Sequence, residues 1–190
     1  RPCLSVTISP LALPHLPRCS SDPGYPDPEI PPAMPLLRIL STVLVLLSLL
    51  LLLIALGSDY WVVGDSSVHI GLWKSCVNKL CAQFSSAPDY YDATRAFLFL
   101  AMIAGFLSSF ALIASFFRSH LGPVSLTLVS AVGSFSAGLC AMIALAVYTG
   151  EVNKIANITF GWSFGLGWAS FPLFLITGAV MMFAQKSPSS

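Results

Sequence analysis

Charge is scarce in this sequence of 190 residues. Only 9% of the residues are charged, whereas a soluble globular domain carries about 25%, so a water-covered surface around the whole chain is excluded. The formal net charge is +1 without a basic cluster, which argues against a nucleic-acid partner. The apolar residues make up 56% and gather into long runs. This pattern is typical of a membrane protein.

Asp, Glu, Lys, Arg and His are absent from each of four apolar runs, which are Ile39 to Gly57, Ala96 to Phe117, Leu121 to Tyr148, and about Ser163 to Ala184. Backbone groups inside a bilayer must pair internally, so runs of this length are helices. We predict an all-α, four-pass domain over 34–186, with helices at about 37–57, 96–117, 121–148 and 163–184. The alternative for the first run is a signal peptide that is cleaved after Ala55-Leu56-Gly57.

Residues that perform chemistry are also scarce. The three histidines, His15, His69 and His120, lie in different regions, and no Ser-His-Asp set, carboxylate pair or phosphate-binding loop is recognisable. Proton relays and substrate paths usually place charged side chains inside the membrane, and the four runs have none. We therefore expect neither an enzyme nor a metal, cofactor or small-molecule site.

The first 33 residues contain nine of the fourteen prolines and no long apolar run. Such a segment buries too little surface to offset its ordering entropy, so we predict a disordered leader over 1–33. Met34 stands just before the first run, and we expect it to be the biological start. The alternative is a genuine proline-rich cytoplasmic segment. Residues 187–190 are expected to form a short cytoplasmic tail.

Two longer connections, 58–95 and 149–162, must share one side of a four-pass protein. Cys76 and Cys81 lie in the first connection, and a disulfide between them requires an oxidising compartment; free thiols are the alternative. Asn157-Ile158-Thr159 in the second connection is a candidate N-glycosylation site, which has meaning only on that same side. Both features place the loops outside the cell or in a vesicle lumen, with both termini cytoplasmic.

The first connection also has the pattern of a small antiparallel sheet. Val68 to Val77 alternates as a strand with Val68, Ile70 and Leu72 on one face, and Cys81 to Phe84 returns after a turn at Asn78-Lys79. A hairpin of this length is marginal by itself. We expect the disulfide to contribute about 2 kcal/mol to its stability.

The arrangement of Trp61, Gly71-Leu72-Trp73, Cys76 and Cys81 resembles the first-loop signature of the peripheral myelin protein, epithelial membrane protein and claudin superfamily. The resemblance extends over 34 to about 185 and includes the order of helices and loops. It implies a four-helix bundle that is capped by an extracellular sheet.

The resemblance also implies roles for two signature residues. Arg95 is expected to brace the loop, with Asp59 or Asp92 as partner; the alternative is that it only reaches toward water. Trp61 is expected to pack under the sheet with Trp73; the alternative is an interfacial anchor.

Within the superfamily the likeness is nearest to its lens-fibre branch, and part of it is shared with its cytotoxic-granule branch. The residues that carry it are the cysteine spacing and the blocks Asp92 to Phe97, Ala144 to Gly150 and Trp162 to Trp168. The resemblance implies a protein that organises cell–cell contact or junctions at the plasma membrane through outer loops and lateral assembly. The alternative is a vesicle or granule membrane protein that regulates exocytosis.

Two further patterns yield hypotheses. Small residues recur every four positions and favour close helix packing, either within the chain or in self-association beside other membrane proteins in the lipid bilayer; they are Ala101, Gly105, Ser109, Ser130, Ser134, Gly138, Gly161, Gly165 and Ala169. Trp73-Lys74-Ser75-Cys76 also fits the W-x-x-C pattern of C-mannosylation at Trp73.

Overall fold

The structure is a computed structural model that describes residues 33–65, 67–155 and 157–186. The predicted leader before residue 33 and the predicted tail 187–190 lie outside the described residues. Within the described ranges the long helices are α1 (Ala33–Gly57), α2 (Asp89–Phe117), α3 (Leu126–Val152) and α4 (Trp162–Lys186).

All four helices are long and apolar enough to cross a membrane, with apolar spans of 23 to 29 residues. At a rise of 1.5 Å per residue these spans measure about 35 to 44 Å, which exceeds the hydrocarbon core of about 30 Å. The helix ends therefore project into the interfacial regions. The predicted all-α, four-pass class with a small antiparallel sheet is confirmed.

The observed helix boundaries differ from the predicted ones at α2 and α3. Helix α2 begins at Asp89 rather than at residue 96, because Asp89 and Asp92 in its first turn complement the positive end of the helix dipole. Helix α3 extends to Val152 rather than residue 148. The two loops at that end of the bundle are thus 58–88 and 153–161, shorter than the predicted 58–95 and 149–162.

A second difference lies at the other end of the bundle, where the predicted third helix started at residue 121. The chain instead forms a short hairpin of β5 (His120–Leu121) and β6 (Val124–Ser125) before α3 begins at Leu126. Gly122 adopts φ +65° in the turn, a conformation that costs glycine little. Apolar content alone did not reveal this turn.

The interior of the bundle combines many small and hydroxyl-bearing residues with large apolar ones such as Leu52 and Phe174, while many other large apolar side chains point outward. Helix α3 packs on α2 and α4, and α1 contacts α4 and α2. Leu107, Phe110 and Phe183 are 62%, 68% and 78% exposed. A soluble protein would bury such residues, so this distribution matches a bundle whose outer surface contacts lipid.

Serine hydroxyls join α2 to α3 inside the bundle. Ser108 Oγ donates a hydrogen bond to Ser130 O at 2.7 Å and lies 2.7 Å from Ser134 Oγ, and all three serines are fully buried. A Cβ on Gly133 would lie 3.0 Å from Ser108 Cβ. The close backbone approach that small residues permit thus brings these polar groups within hydrogen-bonding distance.

Most of the predicted small-residue stripe lies at contacts within the chain. A Cβ on Gly105 would meet Leu49 Cδ2 at 2.7 Å, and one on Gly138 would meet Leu175 Cδ2 at 3.2 Å. Ala101 and Ser109 are buried as well. Since other helices of the same chain cover this stripe, it offers little surface to a second copy.

Gly165 does not pack against another helix of the same chain. A Cβ there would meet nothing within 4 Å, so Gly165 faces outward. The inward face of α4 passes instead through Gly167, whose Cβ would lie 3.0 Å from Leu145 Cδ2, and Gly178, whose Cβ would lie 3.0 Å from Phe135. A period of four residues drifts off one face of a helix with 3.6 residues per turn, and the inward face follows the helical period.

A five-stranded sheet covers the end of the bundle opposite the β5–β6 hairpin, and its strand order is β4-β3-β2-β1-β7 with antiparallel neighbours. The second loop contributes one edge strand, which the sequence did not predict. The strands are β1 (Val62–Val63), β2 (Val68–Ile70), β3 (Lys74–Val77), β4 (Leu80–Gln83) and β7 (Thr159–Phe160).

The predicted single strand from Val68 to Val77 is two strands in the structure. The chain turns at Gly71, whose N–H donates to Lys74 O at 2.9 Å, and Leu72 is fully buried. Leu72 therefore does not continue the face of Val68 and Ile70. Its side chain enters the core beneath the sheet, a long-range contact that the local alternation did not indicate.

The packing of α3 on α4 yields a first prediction. Gly138→Leu should lower the free energy of unfolding by about 1 to 3 kcal/mol, because the new side chain overpacks the contact with Leu175. Gly165→Leu is the matched control, because its site is open. The measurement is the thermal unfolding midpoint of the purified protein in one detergent. Equal midpoints for the two variants would contradict the packing.

Candidate functional site: the sheet end of the bundle

Two tryptophans from the first loop cap the end of α1. The last carbonyls of a helix lack intrahelical donors, and an indole N–H is a donor only. Trp61 Nε1 donates to Ala55 O at 2.6 Å, and Trp73 Nε1 donates to Leu56 O at 2.9 Å. Two of the last backbone acceptors of α1 are thereby satisfied, and the loop is fixed to the helix.

The two indoles lie in different surroundings. Trp61 is fully buried and makes edge contacts with Tyr148 and Phe164 at centroid distances of 4.9 and 6.0 Å. Trp73 is 37% exposed and makes an edge contact with Phe99 at 6.0 Å. Trp61 thus lies in the core, and Trp73 lies at the margin of the bundle.

Arg95 joins the first loop to α2. Its Nε donates to Leu72 O at 2.9 Å, its Nη2 also donates to Leu72 O, and its Nη1 pairs with Asp92 Oδ1 at 2.6 Å. The guanidinium carbon lies 4.7 Å from the centroid of the Trp73 ring. The two hydrogen bonds to Leu72 O and the contact with the Trp73 ring hold the Gly71–Trp73 corner to α2, while the pair with Asp92 lies within α2.

Asp59, the other candidate partner of Arg95, pairs instead with Lys74. Lys74 Nζ lies 2.9 Å from Asp59 Oδ2, and His69 Nδ1 lies 3.3 Å from Asp59 O. The Tyr60 ring stacks on His69 at a centroid distance of 4.3 Å. The segment after α1 is therefore fixed to the sheet by polar and aromatic contacts that the sequence did not reveal.

Two glycines permit close backbone contacts beside this segment. A Cβ on Gly71 would lie 2.6 Å from Asp59 Cα, and a Cβ on Gly161 would overlap Tyr60 O. Gly161 N–H also donates to Trp61 O at 2.9 Å. Gly161 thus joins the second loop to the first. The sequence predicted a contact between helices for Gly161, whereas the structure shows a contact between loops.

The β3–β4 hairpin carries the disulfide. Cys76 and Cys81 are bonded and directly opposite in register, and Cys76 is buried. Asn78 and Lys79 in the turn have φ values of 47° and 69°, the positive pair that a type I′ turn needs. The predicted disulfide and turn are present, and Cys140 is a free thiol.

The same hairpin forms an exposed edge of the sheet. All four residues of β4 are exposed, with Leu80 at 81% and Val77 at 47%. An edge strand presents unpaired backbone donors and acceptors. The sheet end can therefore hold an apolar tip and a free strand edge in a fixed position relative to the bundle.

Two candidate modification sites lie at the same end. Asn157 is exposed, and Thr159 of the same motif lies in β7, where its hydroxyl donates to Val63 O at 3.0 Å. Trp73 lies on the hairpin margin beneath Arg95. N-glycosylation of Asn157 and C-mannosylation of Trp73 stay predictions.

Within the described ranges, no group of three or more His, Cys, Asp or Glu residues comes together as a metal site. Lys154 and Glu151 form an exposed surface pair at 2.7 Å. The contacts at the sheet end fix the two loops in position relative to the helix bundle.

The fold and this loop define a class: a four-pass membrane protein whose helix bundle is capped by a disulfide-bonded sheet. The chain belongs to the PMP-22/EMP/MP20/Claudin family, whose model matches residues 34–181. This family consists of structural membrane proteins.

Curated relatives match most of the chain. Protein NKG7 of Mus musculus is 36% identical over 142 residues, which is 70% of this chain and 82% of the relative. Protein NKG7 of Homo sapiens is 34% identical over 147 residues, or 73% and 86% of the two chains. The lens fiber membrane intrinsic protein of Homo sapiens is 27% identical over 146 residues, or 72% and 84%. The chain is thus similar to both branches that the sequence indicated.

The indole caps yield a second prediction. Trp61→Phe should lower the free energy of unfolding by about 2 kcal/mol or more, because it leaves a buried carbonyl without a donor and removes core volume. Trp73→Phe should lower the free energy of unfolding by about 1 kcal/mol, because water at the exposed margin can replace the lost hydrogen bond to Leu56 O. Thermal unfolding in one detergent measures both.

The matched control for this series is Trp162→Phe, since Trp162 is 54% exposed. The expected order of destabilisation is Trp61, then Trp73, then Trp162. A larger loss at Trp162 than at Trp61 would contradict the capping role.

Proposed function

We propose that the sheet end faces the cell exterior or a vesicle lumen, with the start of α1 and the end of α4 in the cytoplasm. The Cys76–Cys81 disulfide supports this orientation, because disulfides persist in oxidising compartments. The positive charges do not decide the orientation, because Arg38, Arg118 and Lys186 at the opposite end are balanced by Lys74, Lys79 and Lys154 at the sheet end.

The protein organises contact between cells through the sheet end, as a scaffold without catalysis. The observation that carries this proposal is the exposed β3–β4 hairpin, where Leu80 is 81% exposed on a free strand edge. An exposed apolar tip and an unpaired edge both favour association with another protein surface. The disulfide joins the two strands of this hairpin, and Arg95 holds the adjoining Leu72–Trp73 corner to α2, so that the position of the hairpin is fixed before any partner arrives.

The alternative is a role in a vesicle or granule membrane, where the same end would face the lumen. Its support is the higher identity to Protein NKG7, at 36% and 34%, than to the lens fiber membrane intrinsic protein, at 27%. Because the contacts of the sheet end are the same in either membrane, the distinction depends on location.

The orientation yields a third prediction. An epitope inserted at Pro88 should be labelled by antibody on intact cells, or only after vesicle lysis if the protein is intravesicular, because Pro88 lies just outside α2 at the sheet end. An epitope inserted at Gly122 in the β5–β6 turn should be labelled only after the plasma membrane is permeabilised. The reverse pattern would contradict the orientation.

A fourth prediction tests the contact role. In mixed cultures of expressing and non-expressing cells, the tagged protein should concentrate at borders between two expressing cells. Leu80→Glu should abolish this enrichment, because it places a charge on the apolar tip. Leu121→Glu is the matched control, since Leu121 is 63% exposed on the hairpin at the other end.

The outcomes separate the two proposals. Border enrichment that depends on Leu80 supports the contact role. Punctate intracellular signal that overlaps a granule marker, with no border enrichment, supports the vesicle role. Border enrichment that Leu80→Glu leaves unchanged would refute the hairpin as the contact surface.

A further inference from the structure

A polar cavity opens at the end of the bundle opposite the sheet. Its volume is about 220 Å³. Sites for drug-sized ligands measure about 300 to 1,000 Å³, so this cavity suits one small group. Its polar lining comes from the start of α1, the β5–β6 hairpin, the start of α3 and the end of α4, and consists of Arg38, Ser119, His120, Ser125, Thr127 and Gln185.

The charges around the cavity are of one sign. Among the described residues, the acidic side chains all lie at the sheet end, on the loops there or on the helix ends that adjoin them; they are Asp59, Asp65, Asp89, Asp92 and Glu151. The described charges at the cavity end are Arg38, Arg118 and Lys186. An anion at this end would therefore meet cations without acidic neighbours from the described chain.

Arg38 has donors to spare. Its Nη1 donates to Ser115 O of α2 at 3.3 Å, which holds the guanidinium across the gap between α1 and α2. A guanidinium carries five N–H donors, so several remain for a ligand in the cavity that Arg38 lines. Such a planar set of donors matches the oxygens of phosphate.

Helix α3 adds uncharged donors. Its first backbone N–H groups have no intrahelical acceptor, and Ser125 at the N-cap makes no side-chain capping hydrogen bond. Thr127 is only 8% exposed, and it is one of the residues that line the cavity. The first turn also lacks an acidic residue, so the positive end of the dipole of this 27-residue helix is left for an anion.

We propose that this cavity binds a phosphate group, and that its source is the headgroup of an anionic phospholipid. Arg38 pairs with the phosphate oxygens, the hydroxyl groups of Ser125 and Thr127 donate to them, and the first turn of α3 supplies the dipole. The cavity lies at the end of a membrane-spanning bundle, the level at which lipid phosphates lie. The site requires only the membrane-spanning bundle and is independent of the proposed contact or vesicle function.

The test uses the purified full-length chain in a neutral detergent. Native mass spectrometry would follow the binding of three probes: short-chain phosphatidic acid, short-chain phosphatidylcholine and inorganic phosphate. Phosphatidic acid should bind with a stoichiometry of one and at least about tenfold more tightly than phosphatidylcholine, because only its phosphate is free of a covalently attached cation. Binding of phosphatidic acid alone identifies a lipid site, whereas equal binding of inorganic phosphate identifies a site for the soluble anion.

Matched variants tie the binding to the cavity. Arg38→Gln should weaken phosphatidic acid binding about tenfold. Arg118→Gln removes the same charge at the same end outside the cavity lining and should change binding less than about twofold. Thr127→Val keeps the shape and Arg38 but removes a hydroxyl, and it should weaken binding about fivefold.

Thermal unfolding of each variant distinguishes lost binding from lost folding, and Thr127→Val keeps the test decisive if Arg38→Gln does not fold. Equal binding of phosphatidic acid and phosphatidylcholine would overturn the proposal. Equal losses in Arg38→Gln and Arg118→Gln would do so too, because they would indicate a general surface charge effect.

Discussion

The end of α1 is the constraint on which the rest of the sheet end depends. A membrane helix must leave the bilayer with its last carbonyls satisfied, and here the indoles of Trp61 and Trp73 satisfy Ala55 O and Leu56 O. Each indole comes from a different part of the first loop, so capping also folds that loop back onto the helix. The hydrogen bond of Arg95 to Leu72 O then fixes the corner between the two indoles.

The helix bundle and the sheet that covers its end are stabilised by different physical interactions. The bundle lies in lipid, where apolar side chains gain little from meeting one another, so small residues and the hydroxyl group of Ser108 hold α2 to α3 through close packing and hydrogen bonds. The sheet lies outside the apolar spans, where burial of Leu72 and the Cys76–Cys81 bond can contribute in the ordinary way. Trp61 contacts Tyr148 and Phe164 of the bundle and so couples the two layers.

The sequence predicted the helices, the turn at Asn78-Lys79 and the disulfide, because each depends on local composition or spacing. It missed the strand β7 and misread Leu72 as a strand residue, because both depend on contacts between distant segments. The available signal for β7 was a β-branched residue and an aromatic residue, Thr159 and Phe160, just before Gly161. Gly165 lies off the inward face of α4, because a four-residue period only approximates the helical repeat. The Lys74–Asp59 pair has no local signal.

The two ends of the bundle are chemically unlike, and α3 contributes residues to both. Ser125 and Thr127 at its start line the basic cavity, and Tyr148 in its last two turns lies beneath the sheet in contact with Trp61. Helices are stiff, and α3 is packed along its length on α2 and α4. A ligand that orders the first turn of α3 would therefore act on an element that is already fixed at its other end. This favours anchoring of the bundle at one membrane surface over transmission of a movement to the sheet, because transmission requires an element that can switch between two packing arrangements.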